Sequence, residues 1–138
     1  MAARVLVAED DAEMRDLVAG LLRAGGYDVT VARDGSEMVR ELFEAAVRRF
    51  PRDPFDVIVT DLLMPGCTGL EAIARLRGIG FVTPAIVITA FPDDSVQRRA
   101  DRLDVVLVSK PFALKDFEAA VERALLGSPS FTDEAPGP

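Results

Sequence analysis

Histidine is absent from all 138 residues. That excludes a His-based catalytic triad, a His-ligated metal and any phospho-histidine carried by this chain itself. Cysteine occurs once, at Cys67, so no internal disulfide can form and a reducing cytosol is the expected compartment. There is no block of Lys or Arg, and the formal net charge is −7. Both points argue against nucleic acid or an anionic membrane surface as a direct partner. No apolar stretch approaches the ~20 residues needed to span a bilayer. The opening Met-Ala-Ala-Arg runs straight into a short strand-like segment, with no signal-peptide pattern. Ten Gly and nine Pro are too few for a low-complexity chain, and no internal repeat is present.

What remains is a chain that is 49% hydrophobic, enough for a sizeable core in one domain of common size. Its most informative stretch is Phe55–Gly69, which contains the unbroken apolar run Val57-Ile58-Val59. Such a run fits a strand covered on both faces, as in a parallel sheet. The run ends at Asp61, and Met64-Pro65-Gly66 break the strand. Asp61 is thereby placed at the carboxyl end of a buried strand, where open α/β sheets hold their ligands. A carboxylate there can act as a nucleophile or a metal ligand. Taken alone, it can equally be a solvated loop residue or a helix cap.

The rest of the chain alternates strand and helix patterns. Val5–Ala8 is a first strand, ending abruptly in Glu9-Asp10-Asp11. A helix follows with Met14, Leu17, Val18, Leu21 and Leu22 on one face, Asp11 or Asp10 as its cap and Gly25-Gly26 as its stop. Tyr27–Val31 alternates apolar and polar, as an edge strand does. Asp34 with Glu37 resembles a capping box for a second helix, whose expected inner face is Val39, Leu42, Phe43, Ala46, Val47 and Phe50. Phe50–Pro54 ends it, since each proline disfavours helix at the residue before it. After the strand ending at Asp61, Thr68 and Glu71 form a capping box for a third helix with Leu70, Ile73, Ala74 and Leu76 inward. Pro84–Ala90 is a fourth strand. Pro92 starts a fourth helix with only Val96, Ala100 and Leu103 inward, the poorest stripe and so the least stable helix. Val105–Val108 is the fifth strand, leading into Ser109-Lys110-Pro111-Phe112. A last helix carries Leu114, Phe117, Val121, Ala124 and Leu125 and stops at Gly127. Residues 1–126 are expected to form the domain, and 127–138 a tail or the start of a linker.

Five strands alternating with five helices define a doubly wound α/β fold of the flavodoxin-like class. The expected strand order is 2-1-3-4-5, with the second strand at an edge. In that fold the strand ends share one rim. The sequence puts there Glu9 and Asp10, Asp61, Thr89 with Ala90, and Lys110 with Pro111. Clustered carboxylates repel one another unless a cation sits among them. Oxygen-only ligands in an open, water-rich site facing phosphate favour Mg²⁺. A hydroxyl and an ammonium are the donors expected around a phosphoryl group, so the rim suits phosphoryl transfer to Asp61.

These residues, Glu9-Asp10, Asp61 with Met64-Pro65 after it, Thr89-Ala90 and Lys110-Pro111-Phe112, resemble the receiver domain of two-component response regulators over residues 4–126. The resemblance implies that Asp61 is the phosphoryl acceptor. Mg²⁺ is held by Asp10 directly, by Glu9 mainly through water, by Asp61 and by the Leu63 carbonyl. Thr89 hydrogen-bonds the phosphoryl group in the active state, and Ala90 leaves it room. Lys110 pairs with a phosphoryl oxygen, or with Asp61 beforehand, across a cis Lys110–Pro111 bond. The implied partner is a histidine kinase or histidine phosphotransfer protein. The implied output surface comprises the fourth helix, fifth strand and fifth helix, carrying Arg98, Arg99, Arg102, Lys115 and Arg123. That surface is also the expected route to a homodimer. The implied protein is cytoplasmic, not an enzyme beyond its own phosphorylation and dephosphorylation, and in direct contact with neither nucleic acid nor membrane. It is either a stand-alone receiver or an excised piece of a longer regulator.

Three departures from the family pattern stand out. Leu107 occupies the place of the usual Tyr or Phe, so the threonine–aromatic coupling of the switch set Thr89, Ala90, Leu107 and Pro111 is in question. Thr68 replaces the usual Asp or Asn before Gly69. The connection Phe50–Phe55 is longer than usual, as a specific contact would require. Three competing functions make different demands on the sequence. An Asp-nucleophile phosphatase of the haloacid-dehalogenase type needs a second Asp two residues after the first, where this chain has Leu63. A flavin mononucleotide-binding flavodoxin needs a Ser/Thr/Gly phosphate loop where Glu9-Asp10-Asp11 stand. A pseudo-receiver would keep the fold and bind partners without phosphorylation.

Overall fold

The computed structural model describes residues 2–126. The order is β1 (Arg4–Ala8), α1 (Ala12–Ala24), β2 (Asp28–Ala32), α2 (Gly35–Arg49), β3 (Val57–Asp61), α3 (Gly69–Gly78), β4 (Ala85–Thr89), α4 (Asp94–Leu103), β5 (Val106–Ser109) and α5 (Leu114–Leu126). The five strands form one parallel sheet in the order β2-β1-β3-β4-β5. This is the flavodoxin-like order expected. The Gly127 stop and the 127–138 tail lie outside the described residues.

Alternation along the central strands sorts their side chains into two cores. Leu6, Ala8, Ile58 and Val87 face Met38, Leu42, Leu70, Ile73, Leu76 and Ala100 from α2, α3 and α4. Val5, Val7, Val57, Val59, Ile86 and Ile88 face Val18, Leu22, Phe117 and Val121 from α1 and α5. Each fully buried Leu or Phe stabilises the fold by about 1.5–3 kcal/mol relative to exposure. The central strands are therefore fixed, and their carboxyl ends form a stable rim. Both outer strands are only partly covered, and β5 exposes Val106.

Local chemistry sets the helix starts. The side chains of Asp11, Asp34, Thr68 and Asp93 cap α1 to α4 by accepting backbone amides. Thr68 makes a full capping box with Glu71, despite replacing the usual acid or amide. At α2 only half the expected box forms, because the Glu37 carboxylate turns back to the amide and guanidinium of Arg33. α4 starts at Asp94 after its Asp93 cap, two residues later than Pro92 suggested.

Several inward stripes differ from expectation. α2 turns Met38, Leu42, Ala45 and Ala46 to the sheet, leaving Val47 80% and Phe50 76% exposed. The helix carries two apolar ridges, and the sheet takes only one. In α1, Leu17 is exposed and Ala19 is buried; in α3, Ala72 rather than Ala74 faces in. α4 buries Ala100 alone. It is tethered instead by Arg77 of α3, whose Nε donates to the Leu103 carbonyl at 2.9 Å.

Candidate phosphoryl-acceptor site

The rim is built by extending the parallel ladders one residue beyond the strands. Glu9 N donates to Ala32 O, Leu62 N to Ile88 O, and Lys110 N to Thr89 O, at 3.0, 2.9 and 2.9 Å. These bonds hold the residue after each strand in register, and so fix where Glu9, Asp61 and Lys110 leave the sheet. The Lys110–Pro111 peptide is cis, as the resemblance implies; Phe50–Pro51 is cis as well.

Glycines clear the space under the acceptor loop. A Cβ on Gly69 would lie 2.5 Å from the Asp61 carbonyl and 2.7 Å from the Thr60 methyl carbon. A Cβ on Gly35 would collide with the Cys67 backbone, while Gly35 N donates to Pro65 O at 2.9 Å. Gly66 has φ +94°, which L side chains rarely adopt. The loop after Asp61 is thus locked against the start of α2, which accounts for the small residues there. Cys67 is buried and free.

Lys110 Nζ lies 3.1 Å from Asp61 Oδ1 and 3.9 Å from Glu9 Oε1. Carboxylate oxygens of Glu9, Asp10 and Asp61 all fall within 4.8 Å of one another. Glu9 is buried, Asp61 half-buried and Asp10 exposed. Burial, helped by the negative charge of Asp61, pushes the Glu9 carboxyl up to about 7; the Asp11 amide and Lys110 pull it the other way. Burial alone would lower the Lys110 ammonium, but its hydrogen bond to Asp61 and the charges of Asp61, Glu9 and Asp10 outweigh that and raise it. Lys110 is therefore a fixed positive charge at neutral pH, facing three acids.

Thr89 is buried, and its Oγ1 accepts the Phe91 amide at 3.1 Å. Beside it runs a cleft of about 410 Å³ lined by Asp61, Leu63, Thr89, Ala90, Phe91 and Lys110, among others. The side chains of Leu63 and Phe91 are 68% and 79% exposed on its walls. The sequence-read residues Glu9, Asp10, Asp61, Thr89 and Lys110 thus converge, with Leu63 and Ala90 at the margin. Leu107 lies one strand away. Paired with Val87, it is half-buried against the α2–α3–α4 core. Pro111 is exposed.

One supporting residue has little signature in the sequence. Arg15 donates from Nη1 to the Glu9 carbonyl at 3.0 Å and braces the turn that presents both acids. Its only sequence signal is an arginine one turn into α1, six residues after Glu9.

The structure thus defines a five-stranded flavodoxin-like domain with an acid–lysine–threonine rim at the carboxyl edge of its sheet. Residues 5–122 match the family described as response regulator receiver domain. The chain belongs to that family. It is 38% identical over 129 residues to the response regulator MprA of Mycobacterium tuberculosis (strain H37Rv), covering 91% of this chain and 51% of that protein. To MprA of Mycobacterium leprae it is 37% identical over 126 residues, covering 89% and 50%. The chain spans about half the length of the curated relatives it matches. Among solved structures, the N-terminal domain of an uncharacterized protein (WS1339) from Wolinella succinogenes is similar at TM-score 0.76 and 30% identity, covering 89% of this chain and 94% of that one. The Vibrio cholerae chemotaxis protein CheY4 matches at TM-score 0.75 and 26% identity, covering 91% and 100%.

Proposed function

We propose that this chain is a phosphorylation-dependent switch in which Asp61 accepts a phosphoryl group from a phospho-histidine on a partner histidine kinase or phosphotransfer protein. The observation that carries this reading is the 3.1 Å pairing of Lys110 Nζ with Asp61 Oδ1, beside the Glu9–Asp10–Asp61 oxygen cluster. Residues 1–126 are the receiver, and 127–138 a tail or the start of a linker. The working compartment is the cytoplasm.

The cluster fits a Mg²⁺ ion. Ligand oxygens at ~2.1 Å from an octahedral ion sit roughly 3 to 4.2 Å apart, and the three carboxylate oxygens here lie within 4.8 Å of one another. Among the described residues Lys110 alone pairs with these acids, while burial, helped by the Asp61 charge, raises the Glu9 carboxyl. Glu9, Asp10, Asp61 and the Leu63 carbonyl would hold the ion. When bound, it supplies charge neutralisation for the carboxylates and the incoming phosphoryl oxygens.

An Asp61 oxygen attacks phosphorus as the P–N bond breaks. The imidazole leaves with that electron pair and takes up a proton, and the new P–O bond makes an acyl phosphate. Lys110 exchanges its Asp61 contact for a phosphoryl oxygen. The Thr89 hydroxyl, which now accepts the Phe91 amide, still has its own proton to donate to another phosphoryl oxygen. Ala90 carries only a methyl group and so leaves it room. Leu107 follows through packing on the α4 side, with Pro111 fixing the Lys110 turn. The surface of α4, β5 and α5 then changes population between two states.

Beryllofluoride with Mg²⁺ tests this reading. Amide resonances at Thr89, Ala90, Leu107 and α4 are expected to shift in the native protein and not in Asp61→Asn. No shift in the native protein would replace the switch with a phosphorylation-independent binding module.

A further inference from the structure

Arg77, in the last turn of α3, is half-buried and stands apart from the phosphoryl-acceptor residues. Its Nε donates to the Leu103 carbonyl at 2.9 Å and its Nη1 to the Phe81 carbonyl at 3.3 Å. One guanidinium therefore joins three segments: the end of α3, the chain leading into β4 and the end of α4. Burial disfavours the cation, and the charges of Asp104 and Asp53 counter that cost. A planar fork with acceptors on two other segments is held in one geometry.

The end it holds is the weak point of α4. The last carbonyls of a helix have no intrahelical partner. Asp104, at φ 57°, closes α4 in the left-handed region. The amides of Asp104 and Val105 reach back to the Ala100 and Asp101 carbonyls, which leaves the Leu103 carbonyl to Arg77. The bond also sets a positive charge at the negative end of the helix dipole. Little else fixes the helix. Ala100 is its one buried residue, with Val96 and Leu103 partly buried against the α2–α3–α4 core.

The other end of α4 meets the acceptor site. Its cap Asp93 and its residue Val96 line the cleft with Asp61, Thr89 and Lys110. In this arrangement Lys110 pairs with Asp61 and Thr89 accepts the Phe91 amide. The Arg77 bonds thus belong to the state that precedes transfer. α4 has its amino end at the site and its carboxyl end tied by one side chain.

We propose that Arg77 is a positioning residue for the switch: it holds α4 in the resting arrangement, and its bond to Leu103 opens when α4 moves after modification of Asp61. The proposal rests on the Asp61 reading for the event that drives the movement. To test it, the native chain, Arg77→Ala, Arg77→Lys and Arg75→Ala are compared by amide NMR and hydrogen–deuterium exchange, with and without beryllofluoride and Mg²⁺. Arg75→Ala removes an exposed arginine from the same helix and is expected to match the native chain. Without beryllofluoride, Arg77→Ala should move the amide resonances of Thr89, Ala90 and Val96, at the other end of α4, part of the way toward their native beryllofluoride positions. Its α4 amides should exchange about tenfold faster or more, as befits loss of a hydrogen bond to a charged group. Arg77→Lys should fall between, because lysine keeps the charge and loses the fork. If Arg77→Ala does not hold its fold, Arg77→Lys is read by the same criteria. Faster exchange with those resonances at their resting positions would mark a merely structural tie and overturn the proposal, as would native exchange rates. A native chain that does not respond to beryllofluoride would overturn the Asp61 reading and this proposal together, whereas a responding native chain with an unmoved Arg77→Ala overturns this proposal alone.

Discussion

Lys110 Nζ and Asp61 Oδ1, 3.1 Å apart, are the most consequential pair in the molecule. In the proposed transfer to Asp61, an ammonium held there would neutralise charge that grows as a phosphoryl group arrives, and that kind of donor is worth the most in a transition state. Lys110→Met should slow phosphorylation from acetyl phosphate by about 10²-fold, with the fold intact by circular dichroism. The walls of the neighbouring cleft bear on the reverse step. Leu63 and Phe91 are apolar and exposed beside Asp61 and Thr89, where an attacking water must pass. Leu63→Asn with Phe91→Lys should therefore speed loss of phosphate from Asp61, followed by phosphate release; an unchanged rate would remove the water-access account.

Glu9 gives a second residue-scale prediction. Its folded pKa of about 7 lies above the ordinary value of 4.5. Between those values the folded state holds more protons than the unfolded one, so stability falls as pH rises through that window. In EDTA, the melting temperature should decline from about pH 5 to pH 8, and Glu9→Gln should flatten the slope. Mg²⁺ should restore stability chiefly at the upper end, where Glu9 is ionised. Differential scanning calorimetry across pH reads all three.

Among elements, α3 and α4 show how packing divides rigid from movable parts. The first residue of α3, Gly69, sits against the Asp61 carbonyl and Thr60. Gly69→Ala should destabilise by about 1–3 kcal/mol through overpacking and displace the acceptor strand end, measured by urea unfolding and by Asp61 phosphorylation rate. α4 has one buried residue, Ala100, and leans on the Arg77–Leu103 hydrogen bond. Its amides should exchange faster with deuterium than those of α1, α2, α3 or α5, and faster still in Arg77→Ala. A helix so lightly held can respond to Thr89 and Leu107 without an aromatic side chain swinging inward.

Element identity was legible in the sequence because burial is periodic: apolar runs such as Val57–Val59 make two-sided strands, and Thr68 with Glu71 writes its own cap. Element orientation was less so. α2 has two apolar ridges, and hydrophobicity alone cannot say that the sheet takes Met38 and Ala45 rather than Val47 and Phe50. The convergence of Glu9, Asp61, Thr89 and Lys110 was legible because strand order sends every strand end to one rim, so these residues needed only the topology to meet. The depth of Glu9 burial, the Thr89 hydroxyl held by the Phe91 amide, and the Arg15 brace on the Glu9 carbonyl depend on local geometry that residue spacing does not encode.

For the molecule as a whole, two rims carry different chemistry. The carboxyl rim gathers acids, a lysine and a threonine, while the amino rim holds a groove lined by Phe50, Ile79 and Val82 together with Arg49, Arg52, Asp53 and Asp56. The two central cores hold them at a fixed separation, so a change at one need not disturb the other. The central claim is that Asp61 is the group modified. The most direct test is the intact mass of the protein after incubation with acetyl phosphate or a phosphorylated histidine phosphotransfer protein in Mg²⁺. One added phosphoryl group is expected, absent from Asp61→Asn and from the EDTA control. Addition that survives Asp61→Asn, or no addition from either donor, would contradict it.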